Sequence, residues 1–486
     1  MLDTLTRLIP QDKDLPKRAW AIDVLSRVLD GTIYDVLAYQ FHEEHNDAGE
    51  YVKQRERRPS VRTGLIHTVV DDSVSLLFSE GHFPAIQCDD DACKEALVDI
   101  TKNARLNLAM IDAATRGSVG SVAILVRFLS KRVFCDVLST QYLTPTWNPD
   151  EPDTLLKVTE LRKVTGAQLM VAGYTVKKDE AAAFFWFRRD WDSEAETWYL
   201  PWRVQDDKPV IAVDKARTTR HALGFVPMVW VRNLPGGDDI DGCPTFGVEA
   251  INTVIEADYQ LSQAGRGLTY SSDPTLLIKE PASGDDGKPI IRSASNAIQV
   301  DKDGDAKLLE INGTASEAVI RYVEKLREFA LERMHGNRSN ADKLSASQSG
   351  RALELMHQPL IWLADRLRSS YGEGALLSIY RMIVAGSQKY PLTINGKAYG
   401  QLSQGAKLSL NWPAWFPPTA GDRNTLAQAL SSHISSGTMS AETAIKTIAA
   451  DYDIEDVAAE LVLIDAERTQ KIAELPTPTA TVTDSV

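Results

Sequence analysis

Several short clusters of aspartate, cysteine and histidine have the residue types of metal sites. The sequence Asp301-Lys-Asp303-Gly-Asp305 resembles the start of a calcium-binding loop, in which carboxylates alternate along the chain. Its glycine stands at the fourth position of the loop instead of the sixth, and Asn312 occupies the position where such loops need a bidentate glutamate. We therefore interpret this segment as a β-turn between two strands.

The cysteines and histidines offer no better metal site. Cys88 and Cys93 flank three aspartates, but their spacing is wrong for zinc and no matching pair lies elsewhere, so a solvated acidic loop is the better interpretation. His42 and His45 are correctly spaced for one face of a helix, yet no third ligand is identifiable, which favours an exposed polar surface. With four cysteines in the whole chain, reduced thiols are expected, and we predict no metal.

The sequence also lacks the motifs of nucleotide hydrolysis and of common hydrolases. Gly287-Lys288 and Gly396-Lys397 are the only Gly-Lys pairs, and neither is followed by serine or threonine, as a P-loop requires. Neither a nucleophile elbow nor an H-E-x-x-H motif occurs. We expect no enzymatic activity, no catalytic residues and no cofactor.

Composition favours a soluble protein that does not bind nucleic acid over its whole surface. The 486 residues are 43% hydrophobic and 25% charged, and the length suggests about three domains. With 53 basic and 67 acidic residues, the formal net charge is −14, which opposes tight phosphate binding but not the passage of DNA. The N-terminus is too polar for a signal peptide, and the apolar stretch 118–129 is too short to span a bilayer, so we expect synthesis in the cytoplasm.

The N-terminal half is predicted to be helical at first and then rich in strands. Hydrophobic periodicity predicts helices over residues 21–39, 62–78 and 92–116. In the third helix the side chains expected to face inward are Leu97, Ile100, Leu108 and Ile111. Apolar or alternating segments then predict strands over residues 122–126, 132–137, 155–162, 168–174, 183–188 and 197–204, with a turn at 192–194.

Half of the tryptophans lie close together in this strand-rich region. Five of the ten are Trp186, Trp191, Trp198, Trp202 and Trp230. They could form an aromatic platform for a ligand, but cross-strand packing in an antiparallel sheet is the interpretation we favour.

The middle of the chain has the order helix, β-rich insert, helix. A Gly/Pro/Asp-rich linker at 233–244 suggests a boundary, and a helix follows over about 245–265. Residues 271–313 have strand-and-turn composition, and a second helix runs over 314–335, where Thr314 and Glu317 form a capping-box pattern. Each helix would be roughly 30 Å long at 1.5 Å per residue.

The last third is predicted to return to helices around a short β-region. Residues 336–350 are polar and mildly basic, and a long helix over 351–385 should be kinked at Pro359 and interrupted at Gly372 and Gly374. Strands are expected over 390–412, a Pro-rich linker over 413–421, and helices over 422–433, 440–450 and 454–473. The tail from Pro476 is low in complexity and predicted to be disordered.

Three segments of this chain resemble the portal proteins of siphovirus-type tailed bacteriophages. The C-terminal helices are similar to the end of those proteins at Gly437, Ser440, Glu442, Asp453, Glu455, Asp456 and Glu460. Residues 242–263 resemble the entry into the first stem helix of a portal, and residues 345–356 resemble the opening of its long helix. These segments and the regions between them follow the order of regions in a portal protein over nearly the whole chain.

The resemblance implies an α+β subunit of a dodecameric ring. It divides the chain into an α/β wing (1–244), a first stem helix (245–270), a β-rich clip (271–313), a second stem helix (314–335), a channel loop (336–350), a long kinked helix with returning wing strands (351–421), a helical crown (422–475) and a disordered tail (476–486).

The same resemblance implies a place in the virion, at one vertex of the capsid. The ring would be the channel through which double-stranded DNA is packaged and ejected, without sequence-specific binding. Its partners would be the terminase large subunit, a head-completion or adaptor protein, and the major capsid and scaffolding proteins, with no membrane contact. The alternatives are a component of the packaging motor, which the missing P-loop disfavours, and a generic cytosolic scaffold protein.

Two sets of site residues follow from the resemblance. Residues expected in the channel loop, for transient contact with passing DNA, are Arg338, Asn340, Lys343 and Arg351. Residues expected in the clip, for docking of the motor and the adaptor, are Asp285, Asp286, Lys288, Arg292, Asp301 and Asp303.

Overall fold

The chain has a mixed α+β structure, in agreement with the predicted fold class. The computed structural model describes residues 9–129, 132–205, 210–272, 275–281, 300–309, 314–336, 354–355, 357–416, 420–449, 454 and 457–473. These residues belong to two compact units. The first comprises the described parts of Met1–Asn340 and His357–Trp415, and the second those of Ala341–Met356 and Phe416–Val486.

Four helices form the N-terminal part of the first unit. They are α1 (Lys17–Leu29), α2 (Leu65–Phe78), α3 (Asp91–Asn103) and α4 (Leu106–Gly117), with a short 3₁₀ turn at Ile33–Val36. The helix predicted over 21–39 therefore begins earlier and ends at Leu29, because Gly31 takes a positive φ of 68° there.

The single helix predicted over 92–116 is in fact two helices. Arg105 adopts a left-handed φ of 51° between α3 and α4, which ends one helix and starts the next. The break changes the helical phase, so Leu106 and Met110 are buried whereas Leu108, predicted to face inward, is exposed. Leu97 and Ile100 are buried as predicted.

Two antiparallel sheets follow these helices. The three-stranded sheet has the order β12-β4-β5, with β4 at Ser121–Leu129, β5 at Arg132–Ser139 and β12 at Met228–Arg232. The six-stranded sheet has the order β11-β9-β8-β7-β6, and β10 also pairs with β8. Its strands are β6 (Leu143–Trp147), β7 (Leu155–Thr165), β8 (Phe184–Trp191), β9 (Ala195–Trp198), β10 (Trp202–Arg203) and β11 (Thr219–Arg220).

The strand predicted over 168–174 is wrong, since a short helix, α5 (Gly166–Val171), occupies that place. Thr165 and Gln168 form a reciprocal capping box that fixes its start. The aromatic cluster packs across strands as we interpreted it: Trp202 lies opposite Trp186, and Trp191 is fully buried.

Three further pairs of strands complete the first unit outside the paired long helices. They are β1 (Tyr39–Gln40) with β2 (Arg57–Arg58), β3 (Ala85–Cys88) with β17 (Leu408–Asn411), and β15 (Leu392–Ile394) with β16 (Lys397–Gly400). The strands predicted over 390–412 are confirmed. The main core lies between α2, α4, the inner face of β4 and the long helix after residue 357.

The predicted order helix, insert, helix is confirmed. Helix α6 (Val248–Ser272) and helix α7 (Thr314–Met334) are joined through the antiparallel strands β13 (Thr275–Pro281) and β14 (Val300–Leu309). At 1.5 Å per residue they are roughly 37 and 31 Å long. The β-turn predicted for Asp301 to Asp305 is wrong, because these residues lie within β14. Val300 pairs with Pro281 and Asp305 pairs with Lys279, so the residues between Val300 and Asp305 lie opposite Glu280 alone. The segment therefore forms a bulge in the ladder.

The long helix contains an irregular segment at a different place from the predicted kink. It consists of α8 (Gln358–Leu367), a π-helical segment (Arg368–Leu376) and α9 (Leu377–Ser387). Pro359 does not kink it, because this residue lies in the first turn of α8, where its missing N–H has no helical partner to lose. The π segment contains Gly372 and Gly374, the two predicted interruptions.

The second unit contains three helices, close to the three predicted ones. They are α10 (Ala420–Ser435), α11 (Ala441–Ile448) and α12 (Val457–Ala473). Gly437 takes a φ of 73° after α10, and the Ser440 side chain caps α11 by accepting from the backbone N–H of Thr443. The tail predicted to be disordered lies outside the described residues.

Candidate functional site

The paired helices α6 and α7 are the longest in the first unit, and they pack against one another. One side of α7 is buried in the unit, at Leu326, Ala330, Leu331 and Met334. The same helix also exposes three large apolar side chains: Ile320, Tyr322 and Phe329. Tyr322 and Phe329 are seven residues apart and share one face of α7, whereas Ile320 lies on the opposite side. Large apolar side chains exposed on one helix face are typical of a contact with another chain.

A buried carboxylate attaches α6 to the N-terminal region. Asp258 is 3% exposed and accepts hydrogen bonds from the Tyr34 hydroxyl (2.7 Å), the Thr63 backbone N–H (2.8 Å) and the Thr63 hydroxyl (2.9 Å). Burial raises the pKa of Asp258, although these three donors act in the opposite direction. One turn further along α6, the buried hydroxyl of Ser262 accepts from the Val61 backbone N–H.

Three arginines strengthen the same attachment. Arg57 is 2% exposed and donates to the carbonyls of Val52 and Phe41. These hydrogen bonds fix the segment that connects β1 to β2. The Tyr259 hydroxyl of α6 donates to the Arg57 carbonyl at 2.9 Å. Two ion pairs, Arg55 with Glu256 and Arg266 with Glu44, join the same two regions and are exposed or half-exposed. The middle of helix α6, from Glu256 to Arg266, is therefore held by residues 34–63.

A second network positions the entry into α6. Asn233 is fully buried, and its amide nitrogen donates to the Cys243 carbonyl (2.9 Å) and the Thr245 hydroxyl (3.0 Å). Its side-chain oxygen accepts from the hydroxyl of Tyr371 in the π segment. The 233–244 segment, predicted as a linker, is thus packed into the first unit at both ends, while residues 235–239 are exposed.

An arginine from α1 also holds this segment. Arg18 forms a bidentate pair with Asp241, with N–O distances of 2.5 and 2.7 Å, and donates to the carbonyls of Thr140 and Leu143. Ser121 at the start of β4 donates to the same carboxylate. The arrangement is structural, since every polar group of the network is used inside it.

Most of the predicted site residues cannot be compared with these networks. Arg338, Asn340, Lys343 and Arg351 of the expected channel loop lie outside the described residues, as do Asp285, Asp286, Lys288 and Arg292 of the expected clip. Asp301 and Asp303 belong to the bulge of β14. The predicted order of helix, hairpin and helix is present, and the clip residues were assigned to the hairpin.

The clusters considered as metal sites have structural roles in this chain. His42 lies in a turn between β1 and β2, and His45 forms an isolated antiparallel bridge with Tyr51, against which its ring packs. Asp90, between the two cysteines, caps α3 by accepting from the N–H groups of Ala92 and Cys93. Within the described ranges, no group of three metal-ligating side chains occurs, and no helix is both long and apolar enough to cross a membrane.

Sequence reasoning missed the buried polar residues that position α6. Asp258 had a detectable signal, because it falls on the same helical face as Ile251 and Ile255, where a lone carboxylate must find donors. Asn233 and Tyr371 gave no such signal, since they are 138 residues apart in sequence.

The chain has a distant structural likeness to a solved virion structure. No protein-family model matches the chain, and no curated protein sequence matches it. A solved structure described as the virion of a native gene transfer agent particle aligns with 79% of this chain and 88% of its own, at 11% identity and a TM-score of 0.37. A likeness of that extent does not by itself establish a shared fold or function.

Proposed function

We propose that this protein is a phage portal subunit, a virion component that forms a closed, dodecameric ring at one vertex of the capsid. The observation that carries the proposal is the helix-hairpin-helix unit of α6, β13, β14 and α7, in which α7 keeps an exposed apolar surface. The resemblance of residues 242–263, 345–356 and the C-terminal helices to siphovirus-type portals supports the same assignment.

The physical properties of the chain suit a conduit for DNA. Twelve subunits with a formal charge of −14 each would make a strongly acidic ring, which repels phosphate and lets DNA pass without being trapped. In this proposal the β13–β14 hairpin meets the terminase motor and then the adaptor protein, and the subunit hydrolyses no nucleotide itself. Capsid and scaffolding proteins would contact the outside of the ring.

The rigid attachment of α6 fits a ring that must resist the load of packaging. Buried contacts through Asp258, Ser262 and Tyr259 join α6 to residues 34–63, while Asn233 fixes its entry. On helix α7, Tyr322 and Phe329 are exposed on one face. We assign this apolar surface to the neighbouring subunit, where burial would contribute roughly 25 cal/mol per Å² of apolar area.

The decisive experiment is a mass measurement of the purified full-length chain. Native mass spectrometry should give a particle near twelve times 53.6 kDa, and negative-stain microscopy should show a ring with a central channel. Phe329→Asp should convert the rings to smaller species. Val171→Asp places the same charge at a 92% exposed side chain on α5 and should leave them intact.

A monomer at micromolar concentration, with no larger species, would overturn the proposal. Closure with another subunit number would not, because an isolated ring need not have the number found in a capsid. If the Phe329→Asp variant still forms unchanged rings, the exposed surface of α7 is not part of the subunit interface. The portal assignment would remain in place.

A further inference from the structure

The outer edge of strand β12 is free for pairing. Strand β12 lies at the end of its sheet and pairs only with β4 among the described strands. The Val126 N–H bonds to the Pro227 carbonyl, and the Asn233 N–H bonds to the Gly120 carbonyl. Because bonding alternates along an antiparallel pair, residues 227, 229, 231 and 233 face β4, and the backbone groups of Met228, Trp230 and Arg232 point to the other side. The Met228 N–H bonds to the Val226 carbonyl, so Trp230 and Arg232 supply the donors of this edge.

A groove runs beside this free edge. All five residues of β12 line a cavity of about 890 Å³, and the opposite lining includes Ser370, Gly374 and Ser378 of the long helix. Small side chains at these positions leave room beside the strand. The lining holds four aspartates (Asp153, Asp238, Asp239 and Asp241) and two arginines (Arg232 and Arg381), so its acids outnumber its bases by two. The pKa of Asp238 is lowered by the backbone N–H groups of Asp241 and Ile240, so its charge persists.

A second edge without a partner among the described residues occurs at residues 210–213, which are apolar and pair with the chain near Tyr199. Val210 is 85% exposed, Ile211 47% and Val213 43%, and all three are β-branched residues that favour strands. The Leu200 N–H bonds to the Ala212 carbonyl, and the Asp214 N–H bonds to the Trp198 carbonyl. The backbone groups of Ile211 and Val213 therefore point away from this pairing.

We infer that residues 210–213 of one subunit add as a strand to the free edge of β12 in the next subunit. Within the part of the chain that the structure describes, the outward backbone groups of Trp230 and Arg232 on one edge, and of Ile211 and Val213 on the other, have no backbone partner, which is the condition for β-augmentation. The apolar segment would be removed from water, and the exposed Lys215 behind it complements the acidic groove.

The contact joins two different surfaces, so each subunit offers one and receives the other. Such a heterologous contact propagates and forms a ring when the rotation between subunits closes. The inference rests on the proposed function for that closure. It adds a contact made by the sheets, independent of the exposed surface of α7.

Cross-linking tests the contact directly. We would place cysteines at Ile211 and Arg232 in one chain and treat the assembled protein with a short bismaleimide, which tolerates uncertainty in strand register. The double variant should give a ladder of covalent multimers, whereas an equal mixture of the two single variants should stop at dimers. Wild-type protein under the same conditions controls for its four native cysteines.

A backbone variant gives an independent measurement. Arg232→Pro removes an outward N–H without breaking the ladder to β4, and Arg232→Ala keeps that N–H while removing the same side chain. We expect Arg232→Pro to raise the concentration for half-assembly about tenfold over Arg232→Ala, the effect of losing one hydrogen bond at about 1.4 kcal/mol. Circular dichroism melting establishes that both variants fold.

The outcomes separate this inference from the portal assignment. Rings without a cross-linked ladder, or equal assembly of the two Arg232 variants, would overturn the strand addition and leave the portal proposal standing. A protein that is monomeric before any cross-linking would overturn both.

Discussion

The hydroxyl of Tyr371 donates a hydrogen bond to the side-chain oxygen of Asn233 over 3.0 Å, and both side chains are completely buried. Burial raises the pKa of Tyr371, so the hydroxyl stays protonated and acts as the donor. Asn233 in turn donates to Thr245, just before α6 begins. Two side chains thus connect the π segment of the long helix to the entry of the paired helices.

Tyr371→Phe tests this connection. Removing the hydroxyl leaves the Asn233 oxygen buried without a donor, which should lower the free energy of unfolding by about 1–3 kcal/mol. Chemical denaturation measures the loss. Tyr380→Phe is the control, because Tyr380 is equally buried but its partner, the Thr101 hydroxyl, keeps a bond to the Leu97 carbonyl. Equal losses of unfolding free energy in the two variants would show that the contact with Asn233 contributes no more to stability than the contact of Tyr380.

Two glycines in helices should respond to alanine in opposite directions. A Cβ at Gly117 would overlap the Tyr371 hydroxyl, whereas a Cβ at Gly265 in α6 meets nothing within 4 Å. Gly117→Ala should therefore destabilise the protein by at least about 1 kcal/mol through overpacking. Gly265→Ala should stabilise it by about 0.5–1 kcal/mol, because alanine loses less backbone entropy in a helix. Thermal denaturation compares both with wild type, and a stabilising Gly117→Ala would contradict the tight packing of Tyr371.

Helix and strand positions followed from the sequence where periodicity was long and uniform. Helices α2, α6 and α7 and strands β4, β5 and β7 lie close to their predicted positions. The errors occurred where one residue overrides a pattern: the left-handed backbone of Arg105 splits a predicted helix, and a capping box at Thr165 makes a helix from an apolar strand-like segment. A local backbone conformation of this kind is not visible in hydrophobic spacing.

The anchors of α6 depend on contacts that no local pattern encodes. Tyr34 and Asp258 are 224 residues apart and meet only after the N-terminal region has folded onto α6. The carboxylate on the apolar face of α6 was detectable in the sequence but was missed, and no pattern indicates which donors reach it. The same limit applies to the free edge of β12, because an edge is defined only once the strand order is known.

Asp258→Asn should change how stability depends on pH. The folded-state pKa of Asp258 is raised by burial, so the folded protein binds a proton more readily than the unfolded chain. Between the unfolded value near 3.8 and the raised folded value, wild-type stability falls as pH rises, and this contribution is complete only below the unfolded value. The substituted asparagine does not titrate, so the stability of wild type relative to the variant should improve as pH is lowered through that window.

Denaturant titrations of both proteins between about pH 4 and pH 7 measure this difference. Asp35→Asn is a suitable control, because Asp35 is an exposed carboxylate paired with Arg62 near the same site. A pH-independent difference between wild type and Asp258→Asn, or a difference that grows in the opposite direction, would contradict a raised pKa of the buried Asp258 carboxyl in the folded state.

The polar segment 336–350 tests the proposed channel. It carries Arg338 and Lys343 against one acid, Asp342, in a chain that is acidic as a whole. A few cations in an acidic channel would contact passing phosphates briefly, with each contact weakened by salt. Arg338→Glu combined with Lys343→Glu should therefore leave ring assembly intact but reduce the DNA packaged per head, whereas Arg338→Lys should preserve it because the charge is kept.

The measurement is the DNA content of purified heads, after microscopy has established that the variant subunits form rings. Loss of packaged DNA with intact rings is the result expected of a channel loop. Reversing the charge of a segment changes packaging in intact rings only if that segment contacts the DNA. Heads with wild-type DNA content would remove these two residues from the channel. Broken rings would give the segment a role in subunit contacts instead, because a charge reversal at a subunit contact acts on assembly before any DNA enters.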